Sequence, residues 1–259
     1  MDDNVFIRVE NVTKTFEARE EVVHAIAGVS FDVNKGEFVA ILGPSGCGKS
    51  TLMLIIAGLL EATSGQVSIL GRPVKGPQTD VGIVFQNPVL LDWRKALGNV
   101  LVQVELRRLN PKDYVERARH LLKSAGLAGF ENKFPFELSG GMQQRVSICR
   151  ALVHNPPLLM MDEPFGALDA LTREQMRIDV EHLMLEEKKT VLFVTHSISE
   201  AVQLADRVVV MGPRPSVIER ILEIDLPRPR HRTIQESMRF SEYVKEITDI
   251  FMVRGVLHD

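Results

Sequence analysis

The 259-residue sequence has few cysteines and no long apolar run. Its two cysteines, Cys47 and Cys149, are too few for a disulfide scaffold and favour a reducing compartment. A membrane span needs about 20 consecutive apolar residues, and the longest candidate, residues 52–60, is much shorter. Residues 1–4 are acidic and lack the basic and apolar parts of a signal peptide. The formal net charge of −3 gives no reason to expect a nucleic-acid partner. These absences predict a soluble, cytoplasmic globular protein.

Apolar runs of strand length alternate with helical patterns along most of the chain. The run at residues 38–42 is typical of a strand buried on both faces, and residues 158–161, 191–195 and 207–211 have the same character. Helical periodicity separates these later runs, which predicts a parallel sheet with right-handed crossovers. From about residue 87 to 157 the helical pattern dominates, so a helical insertion between strands is expected.

A glycine-rich segment follows the run at residues 38–42 directly. It matches the pattern G-x-x-x-x-G-K-[ST] with Gly43, Pro44, Ser45, Gly46, Cys47, Gly48, Lys49 and Ser50. Glycines let backbone N–H groups turn toward phosphate oxygens, and the helix that starts near Lys49 offers its positive N-terminus. Lys49 would contact the β- and γ-phosphates, and the Ser50 hydroxyl would bind Mg²⁺. The pattern predicts nucleotide binding but leaves a kinase, a GTPase and an ATPase open. Cys47 is interpreted as a small loop residue without a redox role.

Polar residues follow two of the other buried strands. Asp162 and Glu163 end one strand, and because adjacent strand residues point to opposite sides, they cannot share one task. Asp162 suits the Mg²⁺ shell and Glu163 the activation of water, while a helix N-cap is the plainer alternative. His196 follows the strand at residues 191–195, at the sheet edge where open α/β folds bind ligands. A phosphate-facing role is predicted for it.

A second pair of glycines lies at another predicted helix start. Ser139 can cap this helix, and Gly140 and Gly141 leave the N–H groups of its first turn accessible to an anion. Taken alone, this segment is an ordinary cap.

In their order along the chain, these segments resemble the ATP-binding subunit of an ABC transporter over residues 4–212. The longer motifs that carry the resemblance are a Walker A loop at residues 43–50, a signature at residues 138–144 and a Walker B strand at residues 158–163. The single residues are Gln86 of the Q-loop, Asp169 of the D-loop, His196 of the H-loop and Phe16 at the adenine-stacking position. Three departures, Met142, Gly166 and Phe in place of Tyr at position 16, remove no phosphate ligand.

The resemblance implies an α/β P-loop NTPase fold with a RecA-like core, an N-terminal antiparallel β-subdomain and an inserted α-helical signature subdomain. It implies an ATP-binding cassette at residues 4–212, with the helical subdomain at about residues 87–157. A short C-terminal extension would occupy residues 213–259. The basic cluster at residues 228–232 of this extension is expected to be solvated or to contact a dimer partner, with an anionic lipid surface as the alternative.

ATP and Mg²⁺ are the cofactors that the resemblance implies. The catalytic group would be Glu163, His196 and Gln86, and the Mg²⁺ ligands Ser50, Gln86 and Asp162. ATP would be held by Phe16, the eight loop residues named above and Thr51. The ATP of a partner chain would meet Ser139, Gly140, Gly141 and Gln143, with Asp169 in the adjacent D-loop.

The resemblance also implies partners. Two such subunits bind head to tail, as a homodimer or a cassette heterodimer, at the cytoplasmic face of the cell membrane. Two transmembrane permease subunits and, indirectly, a solute-binding protein would complete the assembly, without nucleic acid. Residues 88–94, with the single tryptophan Trp93, would contact the permease; the alternative is that Trp93 packs within its own subdomain. The sequences of residues 90–100, 162–172 and 226–230 resemble importers of nitrate, sulfonates and taurine, which implies ATP-driven import of such a small solute.

Three other functions agree less well with these motifs. A soluble ABC ATPase of DNA or ribosomes usually carries two cassettes or a long coiled coil, and neither pattern is present. A GTPase should have a guanine-reading motif, whose nearest match at residues 132–135 lacks the aspartate. Neither a GTPase nor a small-molecule kinase explains the signature. A subunit that binds ATP without hydrolysing it is disfavoured by Glu163 and His196.

Overall fold

A computed structural model describes residues 4–18, 21–166 and 168–256. In chain order the strands are β1 (Val5–Ala18), β2 (Glu21–Asn34), β3 (Phe38–Leu42), β4 (Ser64–Ile69), β5 (Arg72–Pro73), β6 (Val81–Val84), β7 (Leu158–Asp162), β8 (Thr190–Thr195), β9 (Arg207–Met211) and β10 (Ile218–Glu223). The α-helices are α1 (Lys49–Ile56), α2 (Ala96–Leu106), α3 (Val115–Ser124), α4 (Gly140–Leu152), α5 (Ala170–Glu187), α6 (Ile198–Leu204) and α7 (Met238–Val253). Short 3₁₀ turns lie at Pro111–Tyr114, Pro135–Glu137 and Arg232–Glu236.

The chain divides into two compact units. The phosphate-loop unit comprises the described residues up to 79 and from 190 onward, and the signature unit comprises residues 80–189.

The phosphate-loop unit contains strands in two arrangements. In the first, β1 pairs antiparallel with β2 and β4, and β5 extends β4. In the second, β3 pairs in parallel with β8 and β9, and β10 lies antiparallel to β9. All five residues of β3 are buried, as its uninterrupted apolar sequence predicts. The antiparallel N-terminal part and the parallel core are both confirmed.

The signature unit pairs β6 with β7 in parallel and carries four helices. Helices α2, α3 and α4 lie between these two strands in the chain and pack against one another. Gly82 of β6 allows a close approach of α4, because a Cβ atom there would lie 2.5 Å from the carbonyl oxygen of Ala151.

The structure corrects the extent of two elements. The apolar run at residues 51–60 predicts a helix to its end, but α1 stops at Ile56. Gly58 has φ +72°, and a Cβ atom there would lie 1.9 Å from the Gly76 carbonyl oxygen, so the chain turns at a position that only glycine fills. Strand β10 gives little sequence signal because only Leu222 among its residues is buried.

The C-terminal extension also differs from expectation. Arg228 binds the Asp206 carboxylate at 2.7 Å, and Arg230 is only 1% exposed. The prediction that this basic cluster is solvated or meets a partner is therefore wrong for the buried Arg230. The amphipathic pattern at residues 241–253 predicts a helix, and α7 begins three residues earlier, at Met238, with Ile247 and Phe251 buried. Within the described residues, no helix is long and apolar enough to cross a membrane.

Candidate active site

The phosphate loop joins β3 to α1 in the phosphate-loop unit. Gly48, the residue before α1, has φ 113° and ψ 10°, a conformation that favours glycine. No side chain caps the start of α1. The first N–H groups of a helix need an acceptor, and an uncapped start with its positive dipole end is suited to an anion such as phosphate.

Lys49 holds a positive charge inside this loop. Its side chain is 3% exposed, and its ammonium group donates hydrogen bonds to the carbonyl oxygens of Gly43 at 2.9 Å and Pro44 at 3.0 Å. Ser50 and Thr51 follow in the first turn of α1 and are half-buried. The loop therefore places a cation and two hydroxyl groups at a helix start that has no other cap.

Packing from distant segments fixes the shape of the loop. A Cβ atom on Gly43 would lie 2.9 Å from the carbonyl oxygen of Met211, and one on Gly48 3.3 Å from that of Ala25. The buried Ser216 hydroxyl donates to the carbonyl oxygens of Ala25 and Cys47. Sequence reasoning missed Ser216, because it belongs to no motif and lies 169 positions from Cys47.

Cys47 is a packing residue of the loop. It is 2% exposed, and burial raises the pKa of its thiol. A protonated, enclosed thiol is a poor nucleophile, so the structure agrees with the interpretation that Cys47 has no redox role.

Two further predicted residues lie in the phosphate-loop unit. Phe16 is paired with Val23 across β1 and β2, is 39% exposed, and has the Lys14 ammonium 5.1 Å from its ring centroid. Its exposure leaves ring surface on which a base could stack. His196 is exposed and sits at the C-terminal end of β8, as predicted.

Asp162 and Glu163 lie at the end of β7 in the signature unit, and both are half-buried. Glu163 has φ +43°, a left-handed conformation that is uncommon for a side chain of this type. Strand β7 therefore ends at Asp162, and Glu163 lies just outside it. Strained backbone of this kind concentrates at functional sites.

Gln86 approaches Gly166 within the same unit. A Cβ atom on Gly166 would lie 3.1 Å from the Gln86 amide nitrogen and 3.4 Å from the Glu163 carbonyl oxygen. Gly166 therefore lies beside the Gln86 side chain. Gln144 of α4 donates to the Phe85 carbonyl oxygen at 3.1 Å and so fixes the backbone beside Gln86.

The signature segment begins α4. The Ser139 hydroxyl accepts a hydrogen bond from the Met142 amide at 3.3 Å, as a helix cap should. Gly140 is exposed, whereas a Cβ atom on Gly141 would lie 2.4 Å from a Thr172 methyl group. The Gln143 amide donates to the carbonyl oxygens of Pro135 at 2.9 Å and Leu138 at 3.2 Å, so its side chain braces the turn before the signature.

Asp169 caps α5. Its carboxylate accepts a hydrogen bond from the Thr172 amide at 3.1 Å. Hydrogen bonds from the Thr172 side chain and backbone hold the pKa of Asp169 below its usual range. The D-loop residue is thus an ionised N-cap, which the helix dipole also favours.

The segment after Gln86 presents apolar side chains at the surface. Trp93 is 74% exposed and Val89 64% exposed, so the alternative that Trp93 packs within its own unit is wrong. The fully buried Asn99 donates to the carbonyl oxygens of Leu91 and Arg94 and accepts from the Leu91 amide at 2.7 Å. Arg150 of α4 donates to the carbonyl oxygens of Pro88 and Val89, each at 2.7 Å.

Asn99 and Arg150 were not predicted. The available signal was a polar side chain, Asn99 in α2 and Arg150 in α4, among apolar neighbours, because a polar group in such surroundings needs a hydrogen-bond partner. In this unit those partners are backbone groups of the exposed segment.

A buried lysine in a glycine-rich loop, between a parallel strand and an uncapped helix, defines a P-loop nucleotide-binding protein. A family model described as ABC transporter matches residues 26–166, and the chain belongs to this family. A taurine import ATP-binding protein of Rhizobium johnstonii is 43% identical to this chain, and the match covers 97% of this chain and 96% of that protein. A nitrate import ATP-binding protein of Synechococcus elongatus is 41% identical, and the match covers 98% of this chain and 94% of that protein.

A solved structure supports the same assignment. It is the dimeric, post-hydrolysis state of an ATP-binding cassette with ADP and Pi, with a TM-score of 0.74 and 35% identity. The match covers 85% of this chain and 100% of the chain in that structure. The protein is an ABC-type ATPase, the resemblance seen in the sequence is confirmed, and the kinase and GTPase alternatives are excluded.

Proposed function

We propose that this subunit hydrolyses ATP to power import of a small anion, such as nitrate, a sulfonate or taurine, through separate membrane subunits. The enclosed ammonium group of Lys49 at the uncapped start of α1 is the observation that carries the nucleotide part. The names of the taurine and nitrate relatives support the anion as cargo.

ATP is bound by the phosphate-loop unit in this proposal. The base stacks on Phe16, and the phosphates meet the N–H groups of residues 43–51 and the ammonium of Lys49. Mg²⁺ would be held by Ser50, Gln86 and Asp162. Their hydroxyl, amide and carboxylate oxygens are the hard donors that this ion prefers, and it would neutralise charge on the β- and γ-phosphates. Phosphate oxygens of the nucleotide would complete the set of ligands, as is usual for this ion.

Glu163 acts as the general base in this proposal. Its carboxylate accepts a proton from water as the water oxygen bonds to the γ-phosphorus and the bond to the β,γ-bridging oxygen breaks. ADP leaves with the bridging oxygen, and inorganic phosphate is formed. His196 contacts the γ-phosphate, and Gln86 orients the water.

The subunit works as a dimer in this proposal, either of two identical chains or of two cassettes. Ser139, Gly140, Gly141 and Gln143 of one chain meet the ATP held by the other, beside Asp169. The segment at residues 88–94 contacts one of two permease subunits at the cytoplasmic face of the membrane. A solute-binding protein acts indirectly. The limits of the cassette at residues 4–212, its helical part at about 87–157 and the extension at 213–259 belong to the same proposal.

Replacement of the proposed base tests the chemistry. Glu163→Gln removes the proton acceptor and keeps the side-chain volume, so turnover should fall about 1000-fold while ATP still binds. Steady-state phosphate release and equilibrium ATP binding measure the two effects. Glu186→Gln, an exposed glutamate of the same unit, is the control. A Glu163→Gln variant that turns over at the wild-type rate would refute the role of Glu163.

Uptake assays test the cargo. Cells that lack this subunit should lose uptake of labelled nitrate, taurine or an alkanesulfonate, and the wild-type gene should restore it. A Glu163→Gln gene should not. Normal uptake of all three anions in the deficient cells would contradict the import proposal.

A further inference from the structure

Arg230 of the C-terminal extension is a buried cation with an unusual set of partners. It is 1% exposed, and its guanidinium donates to backbone carbonyl oxygens of two segments. On α6 and just after it, Nη1 reaches the carbonyl oxygens of Val202 at 3.1 Å, Gln203 at 3.3 Å and Ala205 at 2.6 Å. On the strand exit after β10, Nη2 reaches Ile224 at 3.0 Å and Nε reaches Leu226 at 3.1 Å.

These contacts place a positive charge at the C-terminal end of α6. The last carbonyl groups of a helix have no partners within it, and the negative end of its dipole favours a cation there. Helix α6 spans only Ile198–Leu204, about two turns, and helices so short do not hold without outside contacts. Arg228 also donates to the carbonyl oxygen of Leu204, at 2.5 Å, and Arg230 satisfies the carbonyl groups on either side of it, so side chains of the extension cap the end of α6.

Other parts of the extension reach the same helix. The Gln235 amide donates to the Gln203 side-chain oxygen at 2.8 Å, and α7 packs against α6. Helix α6 also packs against β3 and β8, so the extension and the parallel strands both contact it, and the extension is part of the folded unit.

His196 lies just before α6, between Thr195 and the N-cap residue Ser197. Thr195, which precedes His196, is 1% exposed and donates its hydroxyl to the Glu200 carboxylate at 2.6 Å. The same hydroxyl oxygen accepts from the Ser197 amide at 3.0 Å, and the Ser197 hydroxyl caps α6 through the Glu200 amide at 3.4 Å. His196 is held between two residues whose positions both depend on Glu200, and Glu200 depends on α6.

We propose that Arg230 is a positioning residue for ATP hydrolysis, which fixes α6 from its C-terminal end and thereby sets the orientation of His196. This inference rests on the proposed contact of His196 with the γ-phosphate. Without Arg230, three carbonyl groups at the end of α6 lose a hydrogen-bond donor, and the short helix frays. The fraying reaches Glu200 within one turn and releases His196, whereas the phosphate loop keeps its own contacts.

The test compares Arg230→Met with Arg230→Lys and with the control Arg232→Met, an exposed arginine nearby. Arg230→Met should lower kcat about tenfold and leave KM and the Kd for ATP within about twofold, because only geometry at the reacting phosphate is disturbed. Arg230→Lys keeps the charge but not the planar fork, so it should restore kcat in part. Amide hydrogen exchange should accelerate at residues 196–204 and stay unchanged at residues 43–51.

A double-mutant cycle with His196→Ala separates this inference from the proposed function. If Arg230 acts through His196, the double variant should have the same kcat as His196→Ala alone. Multiplied losses in the double variant would overturn the inference, and so would an ATP Kd that weakens in step with kcat in both Arg230 variants. Wild-type turnover of Arg230→Met beside an impaired His196→Ala would overturn the inference alone. Wild-type turnover of His196→Ala would overturn the role of His196 in the proposed function, and this inference with it.

Discussion

The phosphate loop and the segment at residues 88–94 each follow a buried strand closely in the sequence. The strand is β3 in the phosphate-loop unit and β6 in the signature unit. In the loop, Lys49 is 3% and Cys47 2% exposed, and a Cβ atom on Gly43 would lie 2.9 Å from the Met211 carbonyl oxygen. In the segment, Trp93 is 74% exposed, and side chains of other residues hold the backbone in place.

The difference matches what each part would bind in the proposed function. A triphosphate is small and highly charged, so it is bound best by fixed backbone groups and an enclosed cation. A protein partner supplies its own surface, so its site presents apolar and aromatic side chains outward on a rigid support. Each prediction below tests one side of this comparison.

Loss of the enclosed cation should have the largest effect. Lys49→Ala removes a charge-assisted contact to the phosphates, so ATP affinity should fall about 100-fold. Isothermal titration calorimetry measures the change, and Lys35→Ala, at an exposed turn of the same unit, should bind ATP normally. Undiminished affinity in Lys49→Ala would mean that the backbone cradle alone binds ATP.

Loss of the exposed tryptophan should act on assembly and not on chemistry. Trp93→Ala should weaken association with the permease subunits about 30-fold, the size expected when an aromatic anchor is truncated, and leave the ATPase activity of the isolated subunit intact. The matched control is Leu106→Ala, which is 73% exposed in the same unit. Equal co-purification of the Trp93→Ala variant and the wild type would remove residues 88–94 from the interface.

Acid should lower the folding stability of the signature unit through His154, and this is the smallest of the expected effects. Burial first, and then the nearby Arg107, lower the pKa of His154 to about 4. Its Nε2 atom lies 3.0 Å from an Arg107 nitrogen, so the neutral ring accepts that hydrogen bond. Because the unfolded histidine titrates near 6.5, the unfolded state binds more protons between pH 6.5 and 4, and stability should fall as the pH falls through this window.

The measurement is urea unfolding at pH 7 and pH 5. With solvent screening of this half-buried group, the loss should be about 1 kcal/mol in the wild type. His154→Gln should remove that part of the pH dependence, whereas His231→Gln, exposed in the other unit, should keep it. An unchanged slope in His154→Gln would show that other groups cause the acid sensitivity.

Several elements were predictable from local pattern alone. Strands β3 and β9 have the bounds that their apolar runs predict, because both are buried on both faces. The phosphate loop and the cap at Ser139 were recognisable because each has a motif of consecutive residues, although distant segments fix the shape of the loop. Strand β10 and the end of α1 were not, since the first is an edge strand and the second depends on contact between Gly58 and Gly76.

The sequence by itself determined the family, the nucleotide chemistry and the residue types that surround it, because a phosphate loop is written in eight consecutive residues. The tertiary structure alone decided what Arg230, Ser216, Asn99 and Arg150 do. Each of these side chains satisfies backbone carbonyl groups of another segment, and most of those segments are far away in sequence. Such partners carry no side-chain signal, so the role of the residue is set by how the chain packs and not by any local pattern.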